Sequence, residues 1–81
     1  MTRSIHILYF AQLREQSGRP EQTLETDAAT PRSLFDELRE QHGFSLLPDH
    51  LKVAVNDRMV DWDTPLNDGD TVLFVPPVAG G

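Results

Sequence analysis

Apolar residues fall into two dense runs near the ends of the chain, with one helical stripe between them. Ser4-Ile5-His6-Ile7-Leu8-Tyr9-Phe10 is β-branched and aromatic and predicts the first strand. Ala11 to Gln16 is a short helix former closed by Gly18, and Arg19-Pro20 makes a turn. Glu21 to Thr26 is mostly polar and predicts a weaker strand at a sheet edge. Thr30-Pro31 opens the main helix, because Thr caps free N–H groups and Pro fits the first helical position. Leu34, Phe35 and Leu38 form its buried stripe, Asp36, Glu37 and Glu40 its wetter side, and Gly43 its stop. Lys52 to Asn56 predicts a third strand that turns at Asn56-Asp57 into a short return strand, Arg58-Met59-Val60. Asn67-Asp68-Gly69-Asp70 is a turn signal, and Thr71-Val72-Leu73-Phe74-Val75 is the last strand.

The first and last strands are apolar on both sides, which places them in the middle of a sheet. One amphipathic helix covers only one face. The other face, with some of Leu8, Phe10, Leu73 and Val75, needs a second cover. Two readings stand side by side: a partner protein docks there, or the loop from Phe44 to Asp49 folds over it. The fold class expected is α+β, a mixed sheet of about five strands on one main helix.

Composition narrows the partners. Eighty-one residues make one domain with a small core. A net charge of −6 argues against nucleic acid and against an anionic membrane surface, both of which attract basic patches. There is no Cys, hence no disulfide, thiolate metal site or thiol nucleophile, which fits a cytoplasmic protein. The longest uncharged stretch, Thr71 to Gly81, is too short and Pro-rich to span a bilayer, and the N-terminus lacks a signal-peptide h-region. His6, His42 and His50 have no metal-ligand spacing. The acidic residues Asp57, Asp61, Asp63, Asp68 and Asp70 fail the EF-hand pattern, so no metal is expected. No Ser lies in a nucleophile elbow and no phosphate loop is present. An enzyme acting alone is not expected.

The chemistry left is at the C-terminus. Val75-Pro76-Pro77-Val78-Ala79 is an apolar stem stiffened by two prolines, and Gly80-Gly81 ends it in bare backbone. Six extended residues reach roughly 20 Å, at about 3.3–3.6 Å each. This predicts two parts, a folded domain over 1–75 and a flexible tail over 76–81, the latter delivering its carboxylate into another protein's narrow site. A carboxylate is inert until activated, most simply as an acyl-adenylate from ATP. A sulfur donor can then displace AMP to leave a C-terminal thiocarboxylate, and glycines leave room for other sites to close around the acyl carbon.

Several segments carry a family resemblance. They are Tyr9-Phe10-Ala11-Gln12-Leu13-Arg14-Glu15, Ala54-Val55-Asn56, Leu66-Asn67-Asp68-Gly69-Asp70 and, above all, Val72-Leu73-Phe74-Val75-Pro76-Pro77-Val78-Ala79-Gly80-Gly81. With compatible spacing over essentially the whole chain, they resemble the sulfur-carrying small subunits of molybdopterin synthase. One departure is Val75, where many members place a second aromatic beside Phe74.

The resemblance implies the ubiquitin-like β-grasp fold. It implies that an adenylating enzyme similar to ubiquitin-activating enzymes consumes ATP at Gly81, and that a sulfurtransferase system supplies the sulfur. No cofactor is held permanently. The tail, Pro76 to Gly80, enters a large subunit in a heterotetramer, and the thiocarboxylate sulfur passes to cyclic pyranopterin monophosphate to build the molybdopterin dithiolene. Catalytic Lys and Arg residues then belong to the large subunit. By position, Phe10, Arg14, Phe74, Pro76 and Val78 are the candidate partner contacts. Two other readings keep the same terminal chemistry: a carrier serving thiamine, cysteine or tRNA thiolation, and a ubiquitin-like modifier conjugated to lysines. A simple binding module, which would work without the last two residues, is the third.

Overall fold

The computed structural model describes residues 2–75, so the tail over 76–81 lies outside the described residues. The strands are β1 (Arg3–Leu8), β2 (Glu21–Thr26), β3 (Lys52–Val55), β4 (Arg58–Val60) and β5 (Thr71–Val75). The helices are α1 (Ala11–Ser17) and α2 (Pro31–His42), and a single 3₁₀ turn over Pro48–His50 precedes β3. The sheet order is β2-β1-β5-β3-β4. β1 runs parallel to β5, and the β1–β2, β3–β5 and β3–β4 pairs are antiparallel. This mixed sheet gripping one main helix is the β-grasp arrangement.

The central places of β1 and β5, and the edge place of β2, agree with the sequence reading. Strand β1 is shorter than expected: it stops at Leu8, Tyr9 leaves the strand, and Phe10 caps α1. Alternation also returns where the sequence hides it. Ile5, Ile7, Val72 and Phe74 are fully buried under α2, while His6, Leu8, Leu73 and Val75 point to the opposite face and are half-buried.

Helix α2 begins as its residues dictate. The Ser33 N–H donates to the Thr30 hydroxyl and the Thr30 N–H to the Ser33 hydroxyl, so two end donors are satisfied reciprocally. Gly43 ends it in the left-handed region at φ 70°, which costs glycine no Cβ clash. Leu34, Phe35 and Leu38 enter the core with Ile5, Ile7, Leu13, Val53, Val55, Leu66 and Phe74. Glu37 departs from the wet flank assigned to it. It is half-buried and accepts a short hydrogen bond from the buried Thr26 hydroxyl, fastening α2 to the edge strand.

The loop after α2 settles one of the open alternatives. Phe44 is buried, stacks on Phe35 at 5.9 Å and meets the Tyr9 ring edge-on at 5.7 Å. Leu46 packs against the same core. The loop therefore seals the α2 side of the sheet, and among the described residues it does not cover the opposite face.

Candidate functional site: the open sheet face and the end of β5

Strand β5 leads into the tail, so its anchoring fixes where the tail departs. It lies between β1 and β3, hydrogen-bonded on both sides. Its N-terminal end is locked by a polar knot. The Asn56 side-chain amide donates to Asp70 Oδ1 at 2.9 Å, and the Asn67 N–H donates to Asp70 Oδ2 at 2.8 Å. The Thr71 N–H donates to the Asn56 side-chain oxygen at 2.9 Å. The Ser4 N–H donates to Asp68 Oδ1 at 2.7 Å, and the Gly69 N–H returns to the Ser4 carbonyl at 2.8 Å.

Asn56 and Asp57 both take positive φ, 52° and 70°, as the tight turn between β3 and β4 demands. The segments Ala54-Val55-Asn56 and Leu66-Asn67-Asp68-Gly69-Asp70, separate in sequence, are thus one fitting that sets the register of β5. Asp70 is itself buried, so each of these bonds replaces a hydration partner it has lost.

The register carries an apolar row across four strands. Leu8 pairs with Leu73, Leu73 with Ala54, and Ala54 with Met59. Phe10, half exposed at 50%, continues this surface beyond the end of β1, and Met59 is 59% exposed at the far edge. The corner between β1 and α1 is taken by Ala11 at φ 49°. Arg14 is exposed on α1 beside it. The structure thus gathers Phe10, Leu8, Leu73 and Val75 on one open face, as the sequence suggests.

Phe74 does not belong to that surface. It is fully buried, edge-on to Phe35 at 5.0 Å and stacked on Trp62 at 5.8 Å. Its position on β5 turns it toward α2, so its assignment as a partner contact is corrected to a core role. Met59, exposed on the open face, was missed, as was Ala54, which lies buried beneath its neighbours on the same side of the sheet. Their signal was period-two spacing across the Asn56-Asp57 turn, which places them opposite one another. Gly81, Gly80, Ala79, Val78, Pro77 and Pro76 lie outside the described residues, and the two-part division at residue 75 falls at the same boundary.

On the α2 side, a second polar group is walled in by aromatics. The Tyr9 hydroxyl donates to Gln22 Oε1 at 2.8 Å, and His42 Nε2 donates to the same oxygen at 3.0 Å. Burial pushes the Tyr9 phenol up to about 12, against a smaller opposing effect of Arg19. Burial, then the charge of Arg19, lowers the His42 pKa. Both groups are therefore neutral hydrogen-bond donors near pH 7. No helix among the described residues is long and apolar enough to cross a membrane. None of their His, Asp and Glu side chains cluster in threes that could hold a metal ion.

This fold is that of the ubiquitin-like β-grasp proteins, here with a central strand feeding a Gly-Gly end. The model of the ThiS family matches residues 7–81, through the last glycine. The chain is 39% identical over 80 residues to the molybdopterin synthase sulfur carrier subunit of Escherichia coli (strain K12), covering 95% of this chain and 99% of that one. SAMP1 from Haloferax volcanii superposes with a TM-score of 0.79 at 28% identity, over 96% of this chain and 99% of that chain. A chain from the complex of subunits 1 and 2 of the molybdopterin-converting factor of Helicobacter pylori 26695 superposes with a TM-score of 0.65 at 28% identity, over 96% and 99% of the two chains. The chain belongs to the ThiS family.

Proposed function

We propose that this chain is the sulfur-carrying small subunit of a molybdopterin synthase, working through the carboxylate of Gly81. The observation that carries the reading is the 39% identity to the Escherichia coli carrier subunit over nearly the full length of both chains, together with a family match that runs to the final glycine. The carboxylate oxygen attacks the α-phosphorus of ATP on an adenylating enzyme and expels pyrophosphate. A sulfur nucleophile at the hydrosulfide level, delivered by a sulfurtransferase, adds to the acyl carbon, and AMP leaves with the electrons of the broken C–O bond. The thiocarboxylate sulfur then forms a C–S bond to a side-chain carbon of cyclic pyranopterin monophosphate as a C–O bond at that carbon breaks and its electron pair leaves with the oxygen. Water cleaves the acyl–sulfur link, leaving sulfur on the pterin and Gly81 as carboxylate.

The folded domain is the handle for this chemistry and needs no catalytic group of its own. The catalytic residues lie in the large subunit, the complex is a heterotetramer, and the work takes place in the cytoplasm. Phe10, Leu8, Leu73 and Met59 form the surface that the large subunit covers, with Arg14 at its rim. An apolar, half-exposed row beside the tail's root gains most by being removed from water, at about 25 cal/mol per Å². The Helicobacter pylori complex supports a large-subunit partner of this kind.

The test is reconstitution: thiocarboxylated chain, the large subunit and cyclic pyranopterin monophosphate, assayed for molybdopterin. Product in proportion to thiocarboxylate supports the reading, and its absence with an active large subunit refutes it. The SAMP1 likeness favours one second reading, attachment of Gly81 to lysines of other proteins. Recovery of cellular proteins carrying the Gly81 terminus on lysine would favour that reading.

A further inference from the structure

Helix α1 presents two of the proposed partner contacts, Phe10 at its N-cap and Arg14 one turn on, yet its own sequence does not fix how it sits. Seven residues are too few for a helix to be stable alone in water. One of its side chains, Leu13, is buried, and a helix with a single anchor can roll about it. Phe10 supplies no side-chain cap bond. Ala11 stands at φ 49°, in the left-handed region that a Cβ disfavours. Such backbone persists only where the surroundings hold it in place.

The hold comes from the loop after α2. The Gln12 side-chain amide donates to the Ser45 hydroxyl oxygen at 2.8 Å, and the Gln16 amide donates to the same oxygen at 2.9 Å. The Ser45 N–H donates back to Gln16 Oε1 at 3.2 Å. Both lone pairs of the hydroxyl are thus engaged, and Gln16 is gripped at both ends of its amide. Ser45 is itself fixed, because its neighbours Phe44 and Leu46 pack against the core.

Gln12 and Gln16 are four residues apart and share one face of α1. Arg14, midway between them in sequence, lies about 200° around the helix from each, on the opposite face. The N–H groups of Leu13 and Arg14 donate to the Phe10 carbonyl at 3.1 and 3.4 Å, so Phe10 moves with the helix. The clasp on one side of α1 and the contacts on the other are therefore coupled by roll about Leu13.

We propose that Ser45 is a positioning residue for partner binding: by clasping Gln12 and Gln16 it fixes the roll of α1 and so presents Phe10 and Arg14 to the large subunit. The inference rests on the carrier reading, which makes the large subunit the partner that covers Phe10. Solvent-exposed hydrogen bonds of this kind add little to global stability, because water replaces them when they break. Their effect is to select one orientation of a helix that is otherwise free to turn.

The experiment uses the full chain with a large subunit, read by titration calorimetry, thermal denaturation and amide hydrogen exchange. Ser45→Ala should weaken binding about fivefold. Its melting temperature should stay within about 4 °C of the parent. The Arg14 amide should exchange about fivefold faster, since α1 opens more often. Ser45→Thr, which keeps the hydroxyl, should restore both affinity and exchange. In a Phe10→Ala/Arg14→Ala background, Ser45→Ala should weaken binding by less than about twofold, because the contacts it positions are gone. The proposal is overturned if Ser45→Ala leaves affinity or Arg14 exchange unchanged, if Ser45→Thr restores neither, or if the full loss in affinity persists in the Phe10→Ala/Arg14→Ala background. If the parent chain does not bind a large subunit that is active with another carrier, the carrier reading itself fails and the positioning role falls with it.

Discussion

Leu73 and Phe74 are adjacent on the same strand, similar in size and hydrophobicity, and do opposite work. Phe74 is buried between Phe35 and Trp62 and holds α2 to the sheet. Leu73 lies half-buried between Leu8 and Ala54 on the face that α2 leaves open. One sheet thus has a face that its own chain covers and a face that, among the described residues, α2 leaves open. The pleat of β5 assigns neighbouring residues to opposite faces, so the proposed partner surface can be altered one residue at a time without opening the core.

The largest expected effect lies on the closed face. Phe74→Ala empties a fully buried aromatic site and should cost about 3–5 kcal/mol. In a domain of this size that lowers the melting temperature by about 4–8 °C per kcal/mol, measurable by thermal denaturation. The open face should respond the other way. Phe10 is the N-cap of α1, with extended backbone and no side-chain cap bond. Phe10→Asp puts a favoured capping residue there, so the melting temperature should hold or rise slightly. Affinity for the large subunit, by titration calorimetry, should fall tenfold or more, about 1.4 kcal/mol. A large loss of stability with unchanged affinity would erase the distinction between the faces.

Smaller effects sharpen the picture at the two ends of the sheet. Asp70→Ala leaves the Asn67 N–H and the Asn56 amide without their acceptor and should cost about 1–3 kcal/mol, read by urea denaturation. Smallest is the His42 effect. Its folded pKa lies below the ordinary 6.5, so the unfolded chain binds the proton more tightly. Its contribution is fully present above about pH 6.5 and is lost as pH falls through the folded pKa. His42→Gln should flatten stability against pH in that acid window and leave it unchanged in slope above pH 7.

The sequence disclosed some of this and concealed the rest for physical reasons. The caps of α2 and the turn at Asn56-Asp57 are local signals, set by backbone chemistry within a few residues, and they read directly. The orientation of β5 did not. In Thr71-Val72-Leu73-Phe74-Val75 four consecutive residues are apolar, which removes the period-two cue that separates Phe74 from Leu73. The Tyr9–Gln22–His42 group joins residues 13 and 20 positions apart and leaves no local trace. The inward path of Phe44 depends on Phe35, on which its ring stacks, and that is a tertiary fact.

The central claim is that the free carboxylate of Gly81 is the working group and the β-grasp domain its handle. The most direct measurement compares this chain with a semisynthetic copy ending in a Gly81 carboxamide, each incubated with the adenylating enzyme, sulfur donor, large subunit and cyclic pyranopterin monophosphate. The account predicts equal melting temperatures, molybdopterin from the carboxylate form and none above background from the carboxamide. Equal molybdopterin from both would contradict it.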